Sequence, residues 1–126
     1  MDYDIREHGS VTEGNKTFYY VGGAFQSGSA SLNIMKENVW FFNRLVVHKS
    51  LRGKGIGAEL VKKVVDFCKS NNISLINGMN PYGDLDFEQL KQFYLKHGFI
   101  ETHEEDTLIL LRDGGCIVED MNIFGF

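Results

Sequence analysis

Six consecutive residues, Arg52-Gly53-Lys54-Gly55-Ile56-Gly57, gather three glycines and two cations. Glycine lets a backbone come close to an anion with no Cβ in the way. Arg52 brings a fixed planar charge and Lys54 a mobile one. The segment follows an apolar run, Val39 to Val47, and opens into an amphipathic stretch, Ala58 to Lys69. A strand, a glycine-rich turn and a helix start together make an anion site. The first helical N–H groups have no intrahelical acceptor, and the helix dipole places roughly half a positive charge among them. The chemistry indicated is a cradle for a pyrophosphate. A bare turn before a helix would need neither the glycines nor the cations.

A second group lies about forty residues further on, Phe93-Tyr94-Leu95-Lys96-His97-Gly98-Phe99. It pairs an aromatic face with a phenol that can carry a proton. Arg52, Gly55 and Gly57 fit Arg-x-x-Gly-x-Gly, and Phe93 to Phe99 fits Phe-Tyr-x-x-x-Gly-Phe. In this order the two motifs resemble those of the GNAT superfamily of N-acetyltransferases. The resemblance covers Val39 to Arg112 closely, and the first 38 residues only by strand pattern.

The resemblance implies acetyl-CoA as cosubstrate and a primary amine, on a small molecule or a protein, as acceptor. It implies that the backbone of Leu45, Val46 and Val47 binds the pantetheine arm and polarises the acyl carbonyl. Arg52, Gly53, Lys54, Gly55, Ile56 and Gly57 would hold the pyrophosphate, and Tyr94 would return a proton to the thiolate. Tyr94 also reads as a core aromatic beside Phe93, and Leu45 to Val47 as core strand. Backbone binding leaves both strand readings in force.

The sequence departs from the family at the general base. Val39 to Val47 contains no acid, nor does Ile73 to Ile76, and the position of a frequent family asparagine is Phe87. The remaining candidates are His48, Asp84, Asp86 and Glu88, or a water held by Asn77 or Asn80. The missing acid supports an alternative: a catalytically weak or inactive acyl-CoA-binding or partner-binding module.

The elements that must position these groups follow from periodicity. Tyr3 to Glu7, Thr17 to Phe25 and Ala30 to Met35 read as strands, with a bend at Gly22-Gly23 and a turn over Gln26 to Ser29. Lys36 to Asn38 closes a hairpin onto Val39 to Val47. In the helix after the loop, Leu60, Val61, Val64, Val65 and Cys68 recur on one face. Ile73 to Ile76 is a short strand parallel to Val39–Val47. Leu85 to His97 is a second helix, capped by Asp84 or Asp86 and stopped by Gly98. Phe99 to Glu101 and Thr107 to Arg112 pair around an acidic turn, His103 to Asp106. The whole predicts one α/β (α+β) domain over 1–126: a mixed, mostly antiparallel twisted sheet, two main helices, and central parallel strands that splay apart. Arg6 to Lys16 is too short and glycine-rich for the helices the family usually places between its first two strands, so an open acceptor side is expected.

Bulk properties remove other classes. With 13 Lys and Arg against 17 Asp and Glu, the net charge of −4 gives no broad nucleic-acid surface. The basic residues cluster locally, at Arg44, His48, Lys49, Arg52 and Lys54, which suits a small anion. No apolar run reaches membrane-spanning length and Met1 to Gly9 has no signal-peptide core, so a cytoplasmic setting is expected. Four scattered histidines and two distant cysteines do not make a metal site. Cys116 to Phe126 is an apolar tail, expected to pack on its own sheet or to form a homodimer. A dinucleotide reading of Gly53-x-Gly55-x-x-Ala58 fails because His48 to Arg52 intervene between strand and glycine, and Asn77 stands where an acid should end the next strand.

Overall fold

The computed structural model describes residues 4–22, 27–48, 53–80 and 85–122. Seven strands form one sheet in the order β1-β2-β3-β4-β5-β7-β6. They are β1 (Ile5–Ser10), β2 (Asn15–Val21), β3 (Ser27–Lys36), β4 (Val39–Val47), β5 (Ser74–Gly78), β6 (Ile100–Glu101) and β7 (Thr107–Leu110). The helices are α1 (Ile56–Ser70), α2 (Phe87–Leu95) and α3 (Ile117–Asp120). All pairings are antiparallel except β4 with β5. The expected fold class holds, with β4 at its expected bounds.

The first three connections are local. A turn over residues 11–14 joins β1 directly to β2, with Gly14 at φ 77° and its N–H bonded to Ser10 O at 3.1 Å. No helix separates these strands, as expected. Asn38, at φ 64°, turns the β3–β4 hairpin, a conformation asparagine tolerates. One expectation shifts. Ser27 to Ser29 belong to β3 rather than to a turn, because they continue the ladder opposite Val21 to Tyr19. Ile34, which alternates with the buried Ala30 and Leu32, lies outside the core: its side chain lies over Gly14 and it is 43% exposed. The expected bend at Gly22-Gly23 falls partly outside the described residues, as do Tyr3, Asp84 and the last four tail residues.

α1 covers one face of the sheet. Ile56, Leu60, Val61, Val64 and Cys68 are buried against Phe18, Ala30, Leu32 and Trp40. Fully burying one such aliphatic side chain stabilises the fold by about 1.5–3 kcal/mol, so this stripe anchors the helix. Burial pushes the Cys68 thiol up to about 12. The helix ends at Asn71, whose Nδ2 donates to Phe67 O at 2.8 Å, and Asn72 turns at φ 53°. α2 starts on a capping box: Gln89 N donates to Asp86 Oδ1 at 2.8 Å and Asp86 N to Gln89 Oε1 at 2.9 Å. Gly98, at φ 98°, ends the following turn.

The opposite face carries a smaller core of Val39, Ile76 and Ile109, covered by Ile117 and Met121. The described part of the tail therefore packs on its own sheet. Asp120, 1% exposed, fixes it there. Its Oδ2 accepts from Ser74 Oγ at 2.5 Å and its Oδ1 from Arg112 Nη2 at 3.1 Å. Lys36 Nζ donates to Glu119 O and Asn122 O, each at 2.9 Å. No helix among the described residues is long and apolar enough to cross a membrane.

Candidate active site

The site begins where two strands part. The parallel ladder has three steps, Val39↔Ser74, Trp40↔Leu75 and Phe41↔Ile76. Beyond it β4 follows β3, while β5 follows β7 through Asn77↔Leu108 and Gly78↔Thr107. The divergence coincides with a bulge. Ser31 pairs with Arg44 but Leu32 with Phe42, so Asn43 is an extra residue in β4. A bulge bends its strand and increases its twist. It also shifts the side-chain phase: Trp40 and Phe42 face α1 before it, Leu45 and Val47 after it. A cleft of about 720 Å³ opens between the diverging strands.

One wall of the cleft is the end of β4. Leu45, Val46 and Val47 line it, with Leu45 and Val47 also packed on the core beneath α1. The mouth is the glycine loop. Gly53 and Gly55 stand at φ 79° and 81°, the left-handed region that glycine occupies without strain. Gly55 is the N-cap of α1 and brings no side-chain cap. The first turn therefore keeps its donor N–H groups uncapped by any side chain, beside a cleft that Gly53, Gly55, Ile56 and Gly57 line. Lys54 is exposed beside them. Arg52 lies outside the described residues.

The other wall is α2. Tyr94 lines the cleft at 5% exposure, held edge-on by Phe42, Phe93 and Phe99 at ring-centroid distances of 6.0, 5.2 and 5.4 Å. Phe87 packs on the core and offers no polar group. The cleft thus gathers Leu45 to Val47, the glycine loop that closely follows them, and the distant Tyr94.

The general-base candidates separate. Asp86 is committed to the α2 cap, and Glu88 accepts from Gln92 Nε2 at 3.1 Å on the exposed face. Neither they nor His48 line the cleft, whereas Asn77 and Asn80 do. Among the described lining residues Arg44 is the single charged side chain. Sequence reasoning placed it in a basic cluster but missed its position. The signal was the polar pair Asn43-Arg44 interrupting an apolar strand, the mark of the bulge. The acidic turn sits outside the cleft but against it, because Met79, a lining residue, donates its N–H to Asp106 O at 2.7 Å. No group of His, Cys, Asp and Glu among the described residues could hold a metal ion.

Comparisons with known proteins bear on the family and the fold. A family model described as an acetyltransferase (GNAT) domain matches residues 13–101. The match spans more than half of the chain, which belongs to the GNAT acetyltransferase family. Among solved structures, a GNAT family acetyltransferase from Elizabethkingia anophelis with acetyl-CoA bound is similar at TM-score 0.60 and 18% identity, covering 79% of this chain and 76% of that one. The IAA acetyltransferase from Bacillus cereus ATCC 14579 is similar at TM-score 0.59 and 22% identity, with 77% of each chain covered. A GNAT family acetyltransferase from Staphylococcus aureus Mu50 gives TM-score 0.58 and 20% identity, over 79% of this chain and 68% of that one. No curated protein sequence matches the chain. At these identities the structural likeness speaks to the fold, and family membership supports acetyl-CoA-dependent acetyl transfer in general.

Proposed function

We propose that this chain is an acetyl-CoA-dependent N-acetyltransferase that acts on a primary amine. The observation that carries the reading is the cleft itself. It opens where β4 leaves β5, has a side-chain-uncapped helix N-terminus at its mouth, and has a buried phenol in its wall. In this reading the α1 N-terminus, Gly53 to Gly57 and Lys54, with Arg52, hold the pyrophosphate. The backbone of Leu45 to Val47 holds the pantetheine arm and polarises the thioester carbonyl. Fixed backbone dipoles suit a developing oxyanion because they need little reorganisation. The amine lone pair attacks the carbonyl carbon and the carbon–sulfur bond breaks. The Tyr94 hydroxyl delivers a proton to the leaving sulfur, the nitrogen loses its own proton to water, and the phenolate takes a proton back from water.

The described lining contains no carboxylate or imidazole. An acceptor that is already partly neutral suits such a site. At pH 7 an α-amine, with an ordinary pKa near 7.8, is neutral in about one molecule in seven, a lysine side chain in about one in 2,500. The acceptor favoured here therefore carries an α-amine, and Arg44 at the cleft favours one with an anionic group beside it. The same lack of a base supports the second reading, a module that binds acyl-CoA without turning it over.

Calorimetric titration with acetyl-CoA and CoA tests the first step. Binding lost in the Arg52→Ala/Lys54→Ala double variant is expected; no binding of either ligand by the wild type would overturn both readings. A thiol-release screen over α-amines then separates them. Turnover that falls about 10²- to 10⁴-fold in Tyr94→Phe, with acetyl-CoA affinity retained, identifies an enzyme. Binding without thiol release from any amine identifies the module.

A further inference from the structure

We propose that Asn77 is a side-chain donor to the acyl carbonyl oxygen at the closed end of the cleft. The inference rests on the acetyl-CoA reading above and adds a residue to it. Asn77 is 4% exposed, lines the cleft, and its Nδ2 has no hydrogen-bond partner. Buried side-chain amides nearly always have partners, and one without them calls for an explanation.

Architecture does not supply one. The Asn77 backbone is already paired with Leu108. Side chains alternate along a strand, so Asn77 shares the face of Ile73 and Leu75, both of which are buried apolar residues in the main core. Nothing on that face requires an amide. The amide instead stands one register step past the last parallel pair, Phe41↔Ile76, where the strands begin to part. That is the narrow end of the cleft, on the face that also presents Tyr94. From Val47 at the mouth to Phe42 at this end, five strand steps span roughly 17 Å. An extended arm anchored by its phosphates at the α1 N-terminus runs along Val47 to Leu45 toward this end, which sets its carbonyl between the β4 backbone and Asn77. The acyl oxygen is an acceptor, and Asn77 offers the missing donor.

The test compares acetyl-CoA with CoA, which differ only by the acyl group. Titrations of the full chain are made for the wild type, Asn77→Leu and Asn77→Asp, with Asn77→Ser measured as well should leucine not be accommodated. The expected result is CoA affinity within twofold of wild type in Asn77→Leu, and acetyl-CoA affinity about tenfold weaker, equivalent to about 1.4 kcal/mol. Asn77→Asp, which faces an acceptor with an acceptor, shows a larger loss for acetyl-CoA. A spectroscopic arm reads the same contact: the infrared carbonyl stretch of bound ¹³C-labelled acetyl-CoA moves to higher frequency in Asn77→Leu. An unchanged ratio of the two affinities, with an unchanged stretch, would overturn the assignment while leaving the acetyl-CoA reading intact. Failure of the wild type to bind either ligand would remove that reading and this assignment together.

Discussion

Gly57→Ala separates what the glycine loop does for the fold from what it does for a ligand. Gly57 lies in the first turn of α1, lines the cleft, and a Cβ built on it meets Val47 Cγ2 at 3.6 Å, an ordinary contact. Its φ is not positive, so alanine brings no left-handed strain. Replacing glycine by alanine at a compatible position stabilises by about 0.4–1 kcal/mol, chiefly by restricting the unfolded chain. With an unfolding entropy of about 2.1 cal/mol/K per residue, that raises Tm by roughly 2–4 °C for a chain of this length. In the proposed phosphate reading the same methyl group crowds the ligand's approach to the loop, so acetyl-CoA affinity is expected to fall at least tenfold, about 1.4 kcal/mol. Stability and binding thus move in opposite directions. Gly53→Ala supplies the contrast. It has open space around it but sits at φ 79°, so alanine there costs about 1–2 kcal/mol and Tm falls. Scanning calorimetry gives the Tm values and titration calorimetry the affinities. A Gly57→Ala protein that is more stable and binds acetyl-CoA as the wild type does would refute the phosphate assignment. One that is less stable would refute the packing argument.

Two further outcomes test the frame around the site. Asp120→Ala removes one partner of a buried ion pair and leaves Ser74 and Arg112 without it. Breaking such a pair costs about 3–5 kcal/mol, or roughly 11–19 °C in Tm at this chain length, and a loss of less than 1 kcal/mol in denaturant titration would show that the tail is not docked there. Cys68 is buried, with its thiol pushed up to about 12, whereas Cys116 is exposed. A thiol reagent at pH 8 should therefore label one cysteine of the native protein rapidly, none in Cys116→Ser, and both after unfolding; rapid double labelling would mean that α1 is not seated on the sheet.

How much of this was legible depended on how local the signal was. The α1 stripe was readable because Leu60, Val61, Val64, Val65 and Cys68 repeat at helical spacing, and all five are buried. Asp86 and Gly98 marked the ends of α2 through ordinary capping and turn chemistry. The glycine loop and Tyr94 were legible as motifs, and the fold brings both to one cleft. The opening itself was not legible in detail. It depends on the single extra residue Asn43 in β4, whose effect appears only when the register against β3 is known. Ile34 alternates with the buried Ala30 and Leu32 and is nonetheless exposed, because alternation tells which face a side chain is on, not whether anything covers that face. The lock at Asp120 was invisible for a related reason: its partners Ser74 and Arg112 are 46 and 8 residues away in sequence.

β5 contains its own control for the reading of Asn77. Two of its residues, Ser74 and Asn77, are polar and buried, at 0% and 4% exposure, on opposite faces of the same short strand. On the face covered by α3 only architecture is at stake, and there the polar group is fully used. Ser74 Oγ donates to Asp120 and accepts from Arg112 N at 2.9 Å. On the cleft face the amide Nδ2 of Asn77 is left without a partner. Among the described residues one other buried side-chain atom lacks a partner, Arg112 Nε, and its guanidinium is already paired with Asp120. On β5 a partner is thus supplied to Ser74, where burial is structural, and withheld from Asn77, where the strands open. A buried donor kept on a central strand at the edge of the cleft is best explained by an acceptor that arrives from outside the chain.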